Sequence, residues 1–287
     1  ISSDPLRMLR AFRFAATLNF EIDVNTLTSI SLNRTRLKES ASERIWHELT
    51  LFLKTPDTFP LLKIMHDCGL LDYILPASNE AFVQYQKVES LLKHPEKTFP
   101  EHANKFGSKN FINKHYLVKL SALLMMQNPM SDMRPKKENT KDYNLQFSNA
   151  EKKLIKLAIS GAKSLAQIYL SKEFNKNYEL IQNVHEEILA SAVLFVTNSE
   201  DPDTMDRAFF CNCLLKFYYD QFLPIVSKKP LLNGEDIIHQ FKLSPSPLFG
   251  KILNSVQKER VLGKVTTRED AMILAENIIQ SQTNESN

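Results

Sequence analysis

Six glycines in 287 residues leave this chain few places to reverse direction tightly. Glycine supplies the positive-φ positions of hairpins and bulges, so a chain this poor in it is a weak candidate for a sheet protein. No stretch alternates apolar and polar residues as a half-buried strand does. Apolar residues instead recur at three and four spacing along most of the length. The expectation is an all-α fold, an elongated multi-helix array with room for two or three domains. No apolar run reaches membrane-spanning length, and no glycine-rich phosphate loop is present. Cys68, Cys211 and Cys213 form neither a disulfide framework nor a metal set; Cys211 and Cys213 fall in an apolar helical run and read as buried thiols, which suits a reducing cytoplasm.

A net charge of +3 is too mild to identify a nucleic-acid binder, but its distribution is uneven. Six of the ten arginines (Arg7, Arg10, Arg13, Arg34, Arg36 and Arg44) lie in the first 44 residues. The opening run Asp4-Pro5-Leu6-Arg7-Met8-Leu9-Arg10-Ala11-Phe12-Arg13 reads as a helix start, with Asp4 as N-cap and Pro5 at N1. Met8, Phe12 and Ala15 form its buried face, and Arg7, Arg10 and Arg13 a basic band beside it. At three apart in the first turn, Asp4 and Arg7 set an acceptor beside a donor. Cytosine and adenine each present an amino donor next to a ring-nitrogen acceptor; uracil and guanine present the reverse order. Such a pair would take C and A and leave polar groups unpaired against U and G. From spacing alone, an ordinary cap and ion pair accounts for the same residues.

The run D-P-L-R-M-L-R-A-F-R-F-A-A-x-L-N-F resembles the nucleotide-selecting segment of the class II (bacterial-type) tRNA nucleotidyltransferases, the CCA-adding enzymes and their poly(A) polymerase relatives. In that family an E-D-x-x-R element opens a neck helix and templates CTP or ATP. Asp4 and Arg7 match its last two members, and Ser3 stands where the family has Glu. Further along, Ala41-Ser42-Glu43-Arg44-Ile45-Trp46-His47-Glu48-Leu49 resembles the family's S/T-x-E-R-I/V-x-x-E-L brace, with Ala41 where the family has Ser or Thr, so that a cap must come from Ser40 or Ser42. Leu61-Leu62 through Gly69-Leu70-Leu71 to Pro76 resembles its L-L-x-x-x-x-G-L-L-x-x-x-x-P step. Pro230-Leu231-Leu232-Asn233-Gly234-Glu235-Asp236, Leu243 to Gly250 and Gly263 to Ala271 resemble its tail signatures, with Ser246 replacing a glycine.

The resemblance implies a neck over 1–55, a body over 56–146 and a tail over 147–287. It implies nucleotide-base selection by Asp4 and Arg7, with Arg10 and Arg13 supporting that pair or meeting phosphates. Ser40, Glu43 and Arg44 would be a structural brace, with Ser40 and Glu43 as an S-x-x-E capping box. Lys251, Lys258, Arg260, Lys264 and Arg268 would touch RNA backbone. Partners would be tRNA or another RNA 3′ end and the triphosphates ATP and CTP. Mg²⁺ would sit on carboxylates of a catalytic head preceding Ile1, so no catalytic or metal-ligating residue is assigned here. CCA addition, A addition and poly(A) synthesis all remain open, as does oligomeric state. A helical RNA-binding module without catalysis and a structural scaffold are the alternatives.

Other segments read more plainly. Ser148 and Glu151 form a second S-x-x-E cap, and Thr266 with Glu269 a third. Helices are expected near 79–94, 113–127, 177–197 and 203–223, with a loop over 94–107. The segment 128–146 reads as an internal boundary, its basic run Arg134 to Lys141 a solvated loop. Trp46 reads as core. His66-Asp67 diverge by about 100° on a helix and have no third partner in sequence, which argues against a metal site.

Overall fold

The computed structural model describes residues 4–75, 77–125, 145–198, 204–244 and 246–285. Among these, the regular elements are helices, with no strand. The long ones are α1 (Arg7–Leu18), α2 (Val24–Asn33), α3 (Ser42–Lys54), α4 (Phe59–Asp67), α5 (Asn79–Lys93), α6 (His115–Met125), α7 (Asn149–Ser171), α8 (Asn177–Val184), α9 (Ile188–Val196) and α10 (Thr204–Phe217). After a π-helical turn, Tyr218–Phe222, come α11 (Gly234–Phe241), α12 (Pro247–Val261) and α13 (Arg268–Glu285). The chain forms two compact units, 1–212 and 213–287, divided within α10. This division by packing does not coincide with the expected neck, body and tail bounds.

Unit 1 is built around α7, which packs on α6, α8 and α9, while α5 packs on α6 and α1 on α3. The α7–α9 approach is close because α7 carries Gly161 at the crossing. A Cβ there would overlap the Ser191 side chain of α9. Helix α9 is buried on every side, Ile188 to Val196, as an all-apolar helix must be. Gly69 ends α4 at φ +74, letting the Leu70 amide reach the Met65 carbonyl at 3.1 Å, a Schellman-type stop.

Beneath the α3–α4 link lies a buried polar node. Glu89 accepts from the Thr58 and Phe59 amides, both at 2.9 Å, and from the Thr58 hydroxyl at 2.7 Å. Lys119 donates to Glu89 at 2.8 Å and to the Thr55 carbonyl at 2.9 Å. Burial pushes the Glu89 carboxyl up, but Lys119 and the Thr58 donors outweigh it and hold it below the usual carboxylate range. Unit 2 has its own small core of Leu232, Ile237, Ile252, Val256, Val265, Ala271 and Ala275.

Several expectations change. Helix α3 has Ala41 as N-cap and no side-chain cap, so Ser40 and Glu43 make no capping box: the Ser40 amide closes the preceding 3₁₀ turn on Leu37 at 3.0 Å, which moves the start along by one. The cap of α13 is likewise shifted, from Thr266/Glu269 to Thr267/Asp270. Asp270 accepts from the Thr266 and Thr267 amides, and the Thr267 hydroxyl accepts from the Asp270 amide at 3.1 Å. The loop expected over 94–107 contains the 3₁₀ turns Pro95–Lys97 and Pro100–His102 and the helical turn Ala103–Phe106. The helix expected over 177–197 breaks at His185, whose φ is +41. The Ser148/Glu151 box forms as expected. Arg134 to Lys141, Met126, Gln127 and most of the expected boundary lie outside the described residues.

Candidate nucleotide-reading site

The start of α1 carries the two residues singled out from sequence. One Asp4 carboxylate oxygen accepts from the Leu6 amide at 3.1 Å, so Asp4 caps the entry turn, which closes with 3.1 Å bonds from Arg7 to Asp4 and Met8 to Pro5. Regular α-helix begins at Arg7, with Leu6 as its N-cap and no side-chain cap, so Asp4 and Pro5 are not the N-cap and N1 residues expected from sequence but form the turn that leads into α1. The other Asp4 oxygen meets Arg44 of α3 at 3.4 Å. Arg7 is exposed and forms no ion pair among the described residues. Asp4 and Arg7 thus do not pair with each other. Capping and one long contact leave the Asp4 carboxylate with spare lone pairs, and the Arg7 donors are uncommitted.

Arg10 and Arg13 are placed differently. Their Nε atoms grip the two oxygens of Glu48 on α3, at 2.9 and 2.7 Å. Glu48 is only 5% exposed. Burial pushes its carboxyl up, and the hydrogen bonds and charges of Arg10 and Arg13 overcome this to leave it below the usual range. These two arginines are therefore supports: they fasten α1 to α3 while Met8, Leu9 and Phe12 bury its inner face. The Arg13 guanidinium also lies 4.0 Å from the Phe14 ring centre.

The bracing carboxylate is Glu48, the second glutamate of the brace motif, and not Glu43, expected in that role with Ser40 and Arg44. The signal was present, since Ile45, Glu48, Leu49 and Phe52 share the buried side of α3, and a carboxylate there needs cations. Of the expected brace, Arg44 reaches Asp4, Ser40 is buried, and Glu43 is exposed. Trp46 is core, edge-on to Phe147 at 4.8 Å.

In unit 2 the expected RNA contacts are mostly committed elsewhere. Arg260 donates to the Lys229 carbonyl at 3.0 Å, Lys264 pairs with Glu259 at 3.0 Å, and Arg268 pairs with Asp236. Lys251 is exposed, and Lys258 half-buried. Burial pushes the Cys211 thiol up, while Cys213 is exposed. His66 lies 3.9 Å from Asp72. Among the described residues no three His, Cys, Asp or Glu side chains converge as a metal-binding set, and no helix is long and apolar enough to cross a membrane.

Comparison with known proteins adds a context to this geometry. Residues 19–82 match the family described as "Probable RNA and SrmB- binding site of polymerase A", and residues 144–275 that described as "tRNA nucleotidyltransferase domain 2 putative". Glu48 lies inside the first match; Asp4, Arg7, Arg10 and Arg13 lie outside both. The chain is 24% identical over 288 residues to a CC-adding tRNA nucleotidyltransferase of Synechocystis sp., a match covering 98% of this chain and 65% of that protein. It is 26% identical over 271 residues to a CCA-adding enzyme of Ligilactobacillus salivarius, covering 94% and 58%. The fold is similar to that of the Thermotoga maritima CCA-adding enzyme complexed with tRNA, at a TM-score of 0.61 and 15% identity, over 98% of this chain and 62% of that one. The chain therefore spans roughly three-fifths of the length of these relatives.

Proposed function

We propose that this chain is part of a tRNA nucleotidyltransferase and serves 3′-end nucleotide addition to RNA, choosing CTP or ATP and holding the RNA, with 1–55 as neck, 56–146 as body and 147–287 as tail, a reading supported by the two family matches and the CC- and CCA-adding relatives. In the reaction implied, the RNA 3′ hydroxyl attacks the α-phosphorus of the triphosphate, a new phosphodiester bond forms, and the bond to the β-phosphate breaks to release pyrophosphate. Mg²⁺ supplies charge neutralisation in such chemistry. The described residues of this chain present no carboxylate cluster to hold it, so its ligands are not assigned here.

This chain's own contribution is selection. Asp4 accepts from the amino group of C or A, and Arg7 donates to the adjacent ring nitrogen. Arg44 holds the outer Asp4 oxygen, and the Glu48 clamp fixes the helix on which both readers sit. The observation that carries this reading is the contrast within one helix. Arg10 and Arg13 are consumed by Glu48, whereas Arg7 is exposed and has no ion-pair partner among the described residues, close to an Asp4 whose carboxylate accepts from the Leu6 amide.

Asp4→Asn in the full-length parent provides the test. Asn caps a helix about as well as Asp, so a cap alone predicts unchanged folding and unchanged incorporation of the four nucleotides. Base selection by Asp4 predicts a loss of roughly 1–3 kcal/mol of discrimination against U and G, because the amide can turn a donor toward the base. Retained C and A preference in a folded enzyme would reduce Asp4 to a cap.

A further inference from the structure

Resting on the reading that this protein holds RNA, we propose that the outer face of α7 is an RNA-backbone contact, with Lys152, Lys153, Lys156 and Lys163 meeting successive phosphates. All four are exposed. At 100° per residue they fall within an arc of about 100°, and at 1.5 Å per residue Lys152 to Lys163 spans about 16 Å. No ion pair is formed by any of the four among the described residues. The helix has one carboxylate, Glu151, and it is engaged elsewhere: it accepts from the Ser148 amide at 2.8 Å, the Tyr116 hydroxyl at 3.0 Å and the Trp46 indole at 3.3 Å. A helix that merely faces water balances its charges at three and four spacing, and like charges at that spacing destabilise it. Here the cations stand uncompensated, and Lys152 and Lys156 repel each other across one turn. A polyanion supplies the missing sign.

The neighbouring surface favours RNA over an acidic polypeptide. Between the starts of α6 and α7 lies an open groove of 670 Å³, lined by Tyr116, Leu117, Leu154 and Leu157, by Lys153, and by two carboxylates that already have partners, Glu151 with its three donors and Glu187 with Lys114 at 2.7 Å. An aromatic and leucine-lined groove beside a lysine track suits a strand whose phosphates follow the lysines while an unstacked base enters the groove. Phosphate contacts of this kind position a nucleic acid without reading its sequence. The cations expected to serve in unit 2 are less free to do so, since Arg260, Lys264 and Arg268 already have partners.

The experiment is filter binding of a tRNA transcript lacking its 3′ CCA to the 287-residue chain over a range of salt. In one variant all four lysines of α7 become Gln; a control carries Gln at Lys63, Lys87, Lys97 and Lys172, removing the same charge from other exposed positions of unit 1. The α7 variant should bind more than tenfold more weakly at low salt, and its slope of log affinity against log salt should flatten by about 3, at roughly 0.7–0.9 for each phosphate no longer neutralised. The control should keep both close to wild type. Arg at the same four α7 positions should bind as wild type does, which covers the case of a Gln variant that folds poorly. Wild-type binding with an unaltered α7 variant, or equal losses in variant and control, overturns the α7 assignment and leaves the functional reading standing. Absence of tRNA binding by wild type overturns both. Polyglutamate displacing tRNA at equal charge concentration would mark the face as one for acidic polypeptides and likewise overturn the proposal.

Discussion

Unit 1 buries two carboxylates between its helices, whereas the described carboxylates of unit 2 that make ion pairs or caps stay nearer to water. Glu48 and Glu89 are 5% and 9% exposed, and each draws in cations from other helices: Arg10 and Arg13 in one case, Lys119 in the other. In unit 2, Asp236 and Asp270 instead terminate helices, as the N3 members of the α11 and α13 caps, and the Arg268 that pairs with Asp236 is 54% exposed. The chemistry is the same in both units and its worth is not. A buried pair loses several kcal/mol when one partner is removed, because the other is stranded in low dielectric. An exposed pair is screened and contributes little. Unit 1 is fastened by a few ionic junctions between helices, whereas unit 2 depends on its apolar cluster and uses charge to end helices.

Removing a cation from the deepest junction should give the largest effect. Lys119→Met strands Glu89 and is expected to lower unfolding stability by about 3–5 kcal/mol, read by urea denaturation; a change within experimental error would mean that the node is not ionic. Glu48→Gln keeps one acceptor and loses the charge, and should cost about 1–3 kcal/mol in the same measurement. Arg268→Ala in unit 2 should cost less than about 1 kcal/mol; a loss as large as that of Glu48→Gln would erase the contrast between the units.

Acid provides a finer comparison. A carboxyl whose pKa is depressed in the folded state contributes stability above its unfolded pKa and loses it as pH falls through the folded value. Glu48, Glu89 and Glu151 all lie below their ordinary range, so unit 1 should weaken progressively as pH falls below about 4. The Thr266 and Thr267 amides and the Thr267 hydroxyl hold Asp270 down to about 2, so the α13 cap should persist until close to that pH. Carbon-detected NMR titration of the Asp and Glu carboxyls checks each value; an Asp270 that titrates near 4 would contradict the cap.

The sequence made the helical architecture legible because three-and-four spacing is strong in α1, α3, α5 and α7. The caps expected for α3 and α13 miss the observed starts by one residue, and the cap expected for α1 by two. Ser40 and Thr266 are plausible caps, but the 3₁₀ turn before α3 and the placement of Asp270 decided the start. The break at His185 had no signal, since neither glycine nor proline marks it. Site legibility was divided in the same way. Asp4 and Arg7 stand out by type and position, yet which arginines of α1 are free depends on Glu48, 35 residues beyond Arg13, whose place in the brace motif and on an apolar face does not say which cations it takes. The lysines of α7 carry no signal in the sequence, because a basic helix face looks ordinary until the structure shows that its single acid is engaged elsewhere.

Trp46 is the one tryptophan of the chain, and its surroundings make it an optical probe of a particular place. Its indole N–H points to Glu151, its ring meets Phe147 edge-on, and Tyr116 lies 6.1 Å away. Excited at the red edge of tyrosine absorption, the protein should emit from unit 1 alone, from a point where α3, α6 and the start of α7 meet. Unit 2 is dark at that wavelength. Emission and circular dichroism should follow one curve if the two units unfold together, and should separate if unit 2 melts independently. A single wavelength thus distinguishes the two halves of the molecule without any label.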